Sequence, residues 1–250
     1  MKMKKTAFAG LLLAGVMMLS GCFGSGSDQG LTPNPLRTYD YSTMKLVQLD
    51  KPYEGQKTAE IETTLGTIKV ALYPEYAPNT VKNFENRVND GYYNGKPVYG
   101  IYEHSLFMSG AENEQKNSGV TDDGKPIPNE YSVDLWPFKG AVCAFNGRQG
   151  YGDSRFFVIN ERTLTEEEQT QLRGLTKDDG SKLLPDELCD ALIEKGSIAD
   201  FSGSYTVFAQ TYEGFDVIEK ICGSEIDANS LDPVTPITIT KVTLGEYHAG

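Results

Sequence analysis

The sequence has little histidine, cysteine or tryptophan: of 250 residues, two are His, four are Cys and one is Trp. Two histidines give an imidazole-based metal site little to be built from, and no metal or cofactor is expected. Basic residues are also scarce, 23 Lys and Arg against 35 Asp and Glu, for a net charge of −12. A nucleic-acid partner needs Lys and Arg to displace counterions, so it fits poorly here. Charge alone will not draw the chain to anionic lipid either. No internal repeat is visible. What is present reads as globular, with 26 Gly and 12 Pro marking many turns.

The N-terminus reads as an address. Lys2, Lys4 and Lys5 precede an apolar run, Ala7 to Leu19, too short to span a bilayer comfortably. The run ends in Leu19-Ser20-Gly21-Cys22, which resembles the bacterial lipoprotein signal. The resemblance implies cleavage after residue 21 and acylation of Cys22, anchoring the mature chain outside the cytoplasm on a membrane. Residues 1–21 hold three lysines and no acidic residue, so the net charge of −12 becomes −15 in the mature chain. Residues 22–50 begin Gly/Ser-rich and show no periodic apolar pattern before Val47, which predicts a flexible tether. Residues 51–250 are then one domain, long enough to bury a sizeable core. Of the remaining cysteines, Cys143 lies in an apolar strand, and Cys189 and Cys222 lie near helix ends and could pair.

Along the domain, Ala59–Leu65 and Ile68–Tyr73 alternate as a hairpin turning at Gly66-Thr67. Pro78 opens a helix with Val81, Phe84 and Val88 on one stripe. Val98–Tyr102 and Ser105–Ser109 read as two short strands or one bent one, and 110–128 is polar and turn-rich. Thr165 and Glu168 form a capping-box pattern, and Pro185 starts a further helix. Later come a strand at Tyr205–Gln210, a helix at Gly214–Ile221 and a last strand, Ile237–Leu244, with one break in its alternation. Many strands, tight turns and few helices predict a mainly β fold: a closed antiparallel barrel, with a sandwich as the alternative.

The stretch Gly140–Ile159 is two apolar runs about a Gly-rich connection. Arg155 and Phe157 are two residues apart, which on a strand puts both on one face. That is either a groove floor or an ordinary hairpin with one buried face.

The segments, in order, resemble a cyclophilin-type peptidyl-prolyl isomerase. The matching phrases begin Thr64-Leu65-Gly66-Thr67-Ile68, Ala77-Pro78-Asn79-Thr80-Val81-Lys82-Asn83-Phe84 and Gly91-Tyr92-Tyr93-Asn94-Gly95. They continue with Ile127-Pro128-Asn129-Glu130, Gly140-Ala141, Asn146, Ser154-Arg155-Phe156-Phe157-Val158, Gly203-Ser204-Tyr205-Thr206-Val207-Phe208 and Glu213-Gly214-Phe215-Asp216-Val217-Ile218. The resemblance implies an eight-stranded antiparallel closed β-barrel capped by two helices, with an extra helical insert at 163–199. It implies rotation about X–Pro bonds in proline-containing peptides or exported proteins, by a monomer that needs no cofactor. Phe107, Met108 and Phe157 would line the proline pocket, Asn146 would offer backbone groups to the peptide, and Tyr205 would replace the groove histidine, a change many bacterial members share.

The chain also departs from the pattern. The family arginine that donates to the prolyl nitrogen falls at Gly100, Ile101 or Tyr102, none of which can replace a guanidinium. The family glutamine of the next phrase falls near Ser109, and the groove tryptophan or leucine near Asp200 or Phe201. Arg155 replaces the groove glutamine and is the candidate surrogate donor. The expected function is an extracytoplasmic prolyl isomerase of reduced activity. The alternative is a lipid-anchored proline-peptide-binding module with little or no catalysis.

Overall fold

The strand rhythm of the sequence is present in the computed structural model, which describes residues 35–146 and 150–249. The proposed signal, Cys22 and the turn at Gly147 lie outside the described residues. Strands β1 (Lys57–Thr63) and β2 (Gly66–Leu72) form the first hairpin, followed by helix α1 (Pro78–Asn89). Strands β3 (Tyr99–Tyr102), β4 (Leu106–Ser109), β5 (Ile127–Pro128), β6 (Ala141–Ala144), β7 (Tyr151–Gly152) and β8 (Phe156–Ile159) come next. The insert carries α2 (Glu166–Arg173) and α3 (Asp186–Glu194); β9 (Val207–Glu213), α4 (Phe215–Cys222) and β10 (Ile239–Glu246) complete the chain.

Eight strands form one antiparallel sheet in the order β10-β1-β2-β9-β6-β8-β4-β3, and β5 and β7 pair separately. The sheet curls until β10 meets the segment just ahead of β3. An isolated bridge joins Pro97 to Thr238, and the Val98 and Ile239 N–H groups donate to Ile237 O and Lys96 O at 2.8 and 2.9 Å. Closure is thus made by a few bonds ahead of β3 rather than by a full ladder. The break read in the last strand is a bulge: Glu62 faces Lys241 while Thr63 faces Ile239.

Period-2 alternation sorts the sheet residues into two clusters. On one face Ile61, Ile68, Val70, Phe107, Val142, Phe156, Val158 and Phe208 pack against Val81 and Phe84 of α1 and Val217, Ile218 and Ile221 of α4. On the other face Leu106, Cys143, Phe157, Ile159 and Val207 form a second cluster, with Met108, Phe145, Phe201 and Tyr205 partly buried against it. Glu130 joins two segments far apart in sequence: its carboxylate accepts from the Asn79 and Thr80 N–H groups at 2.9 and 2.8 Å, capping α1. The Glu130 N–H in turn donates to Thr206 Oγ1 at 2.8 Å.

Three expectations are corrected. The first hairpin turns at Thr64-Leu65, because Thr63 pairs with Gly66 and Thr63 Oγ1 accepts from the Leu65 N–H at 3.1 Å. The stretch 35–50, expected as tether, is folded onto the domain. Gln48 is buried and donates to Trp136 O and Gln210 Oε1 at 3.0 and 2.8 Å, while Tyr41 stacks on Trp136 and Tyr39 meets it edge-on. Cys143, Cys189 and Cys222 are all free and buried, so Cys189 and Cys222 do not pair. Among the described residues no helix is long and apolar enough to cross a membrane.

Candidate active site

The site builds up from the face of β4 and β8 that carries the second cluster. Met108 pairs with Phe157 across the two strands, so their side chains share that face. Phe157 meets Tyr205 at 4.9 Å and Phe201 at 5.6 Å between ring centroids, both edge-to-face, and Phe201 and Tyr205 close the triangle at 4.9 Å. Phe157 is 2 % exposed, while its two aromatic neighbours are partly exposed. Burial raises the Tyr205 phenol above its ordinary value, with smaller contributions from Cys143, Tyr102 and Tyr131.

Phe107 is apart from this set. It is 1 % exposed in the cluster beneath α1 and α4, because neighbours on a strand point to opposite faces. Met108, Phe157 and Tyr205 are brought together; Phe107 belongs to the core.

Beside the aromatic triangle opens a cleft of about 810 Å³, lined in part by Asn146, Arg155, Tyr205, Phe145, Lys116 and Tyr151. The Asn146 side-chain amide donates to Ser204 O at 2.7 Å, and its backbone carbonyl accepts from the Tyr151 N–H at 3.2 Å. Ser154 fixes the polar loop that forms the opposite rim: its hydroxyl donates to Gly110 O at 2.8 Å and accepts from the Val120 N–H at 2.9 Å.

Arg155 reaches the cleft but does not hold a loose guanidinium over it. Its Nε donates to Asp153 Oδ1 at 3.0 Å, its Nη2 to Asp153 Oδ2 at 2.6 Å and its Nη1 to Lys116 O at 3.3 Å. The Phe145 ring lies 4.9 Å from its central carbon. Of the five N–H groups on the fork, two are left for a ligand among the described residues.

Strand β3 offers no arginine. Gly100 has φ of 55°, Ile101 is fully buried and Tyr102 is half exposed. A Cβ on Gly100 would lie 3.1 Å from Met108 Sδ, so any side chain there would start against the groove face.

Sequence reasoning missed Phe145, Asp153 and Ser154. Their roles depend on what the loop 110–128 and the approach to β8 bring near them, and no local pattern reports that. Among the described residues, no cluster of His, Cys, Asp or Glu could hold a metal ion.

The family model described as "Cyclophilin type peptidyl-prolyl cis-trans isomerase/CLD" matches residues 58–244. The chain belongs to the cyclophilin-type peptidyl-prolyl isomerase family. A Staphylococcus saprophyticus protein described as "Putative peptidyl-prolyl cis-trans isomerase" is 27 % identical over 200 residues, covering 80 % of this chain and 98 % of its own. A Staphylococcus epidermidis protein of the same description is 26 % identical with the same coverage. Among solved structures, a cyclophilin-type isomerase of Cryptosporidium parvum matches with a TM-score of 0.58 and 17 % identity, over 79 % of this chain and 99 % of its own. A second structure of that cyclophilin, determined in the presence of the dipeptide Ala-Pro, gives a TM-score of 0.57 over 77 % of this chain and 99 % of its own. At these identities the solved cyclophilins speak to the fold, and the fold is the curled eight-stranded sheet described above. The chain carries the aromatic face of Met108, Phe157 and Tyr205 beside Asn146, and strand β3, Tyr99–Tyr102, holds no arginine.

Proposed function

We propose that the protein is a prolyl isomerase of the bacterial envelope, a monomer anchored through lipidated Cys22, acting on X–Pro bonds of exported chains with reduced turnover. The observation that carries the reading is the shared face of Met108, Phe157 and Tyr205 beside the Asn146 rim. An apolar aromatic wall suits a proline ring, and ordered backbone groups beside it suit the flanking peptide. The reaction must break amide resonance, a barrier of about 18–20 kcal/mol, and uncatalysed X–Pro isomerisation takes tens to hundreds of seconds. Arg155, with two N–H groups left and its fork oriented by Asp153, is a cation at the rim and a donor to bound peptide.

A second reading, a proline-peptide-binding module with little catalysis, is favoured by one observation: β3 has no guanidinium and that of Arg155 is tied to Asp153. Loss of one transition-state donor typically costs about 10²–10³ in rate. The test is X–Pro isomerisation of a short peptide, followed by exchange spectroscopy, for wild type and Arg155→Ala. A wild-type rate above background that falls in the variant supports the isomerase reading with Arg155 as donor. Peptide binding without acceleration would replace it with the module. The anchor is checked by membrane fractionation, where Cys22→Ala is expected to release the protein from the membrane.

A further inference from the structure

The register of β3 against β4 places a second donor on the groove face. Tyr99 is the partner of Met108 and Tyr102 the partner of Leu106, and directly paired residues on antiparallel strands point to the same side. Leu106, Met108 and Phe157 all belong to the groove cluster, so Tyr99 and Tyr102 face it too. Ile101 points the other way, into the core beneath the helices. Gly100, at positive φ, is the irregular residue between the two tyrosines.

The two tyrosines differ in what their hydroxyls can do. Tyr99 is 4 % exposed beneath Lys116, whose Nζ lies 5.4 Å from its ring centroid, and its hydroxyl is sealed from solvent. Tyr102 is 50 % exposed, and its hydroxyl has no partner among the described residues. On β3 it is therefore the one residue with an unengaged donor that can meet a bound peptide.

We infer that the Tyr102 O–H donates to the prolyl nitrogen of the twisting X–Pro bond, the part a guanidinium plays in the family. This rests on the isomerase reading. As resonance is lost the nitrogen regains a lone pair and becomes an acceptor, and a hydrogen bond made only then stabilises the transition state and not the bound peptide. No covalent bond forms and no proton leaves the phenol. A neutral hydroxyl offers one donor where arginine offers five charged ones, which accounts for a reduced turnover without abolishing it. The expectation that nothing on this strand can stand in for the arginine is thereby narrowed: no residue supplies its charge, but one supplies a donor.

The test is Tyr102→Phe, which removes the hydroxyl and keeps the ring. Its kcat on a short X–Pro peptide is expected to fall about tenfold or more, with KM and the peptide dissociation constant unchanged. Tyr102→His, which restores a ring N–H, is expected to recover part of the loss. An active wild type with an equally active Tyr102→Phe overturns the inference and leaves the isomerase reading standing. So does a Tyr102→Phe defect confined to KM, which would make the residue a binding contact. A wild type at background rate overturns the isomerase reading, and the donor with it.

Discussion

Phe107 and Met108 are neighbours in the chain and sit on opposite sides of β4. One lies in the core beneath α1 and α4, and the other beside Phe157. Phe107→Ala should therefore lower stability by about 3–5 kcal/mol, as for other deep aromatic truncations, and leave peptide affinity of the folded protein intact. Met108→Ala should do the reverse, with a smaller stability loss and a measurable drop in affinity. Urea unfolding and peptide titration on both variants separate the two; equal effects on affinity would place both side chains in the groove. The sequence reading put both in the pocket because a family phrase carries no register of its own. In a strand a shift of one residue exchanges the two faces, and only the pairing of Met108 with Phe157 decides it.

At the scale of elements, the helical insert is tied to the groove by one arginine. Arg162, just after β8, donates to Glu168 at 2.6 Å and to Asp200 at 3.0 Å. Glu168 completes the capping box of α2 with Thr165, and Asp200 lies in the turn that delivers Phe201 onto Phe157. The capping box was legible in the sequence because its two residues are three apart. The ion-pair knot was not, since Asp200 is 38 residues from Arg162. The hydrogen bond from Arg162, followed by that from the Thr165 N–H, holds the Glu168 carboxyl below its ordinary value. A depressed carboxylate stabilises the fold above its unfolded pKa and loses that contribution as pH falls through the folded value. Glu168→Gln keeps the capping geometry and removes the charge. The stability gap between wild type and this variant should be full at neutral pH and shrink as pH falls below the free glutamate value of about 4.3. Thermal melts at pH 7 and pH 3 measure it, and a gap independent of pH would show that the Glu168 charge contributes nothing to stability.

On the scale of the whole molecule, two layers of information were legible to different degrees. Strand and helix order followed from alternation and caps, as in α1 and the capping box of α2. The docking of 35–50 did not, because an amide and three aromatic rings hold it, with no apolar period to betray it. The three enclosed thiols belong to this scale as well, each in a different part of the fold: Cys143 on β6, Cys189 on α3 and Cys222 on α4. Burial pushes the Cys143 and Cys189 thiols up and that of Cys222 up to about 12, so the reactive thiolate is scarce in the native state. Labelling by a thiol reagent must then wait for a local or global opening. Site-resolved labelling rates, read by peptide mass, should report three separate opening free energies from unmodified protein, with that of Cys189 tracking the insert. Labelling of all three at the rate of free cysteine would contradict their enclosure. The three cysteines, two of which the sequence offered as a pair, thus serve as built-in clocks for how often each part of the domain breathes.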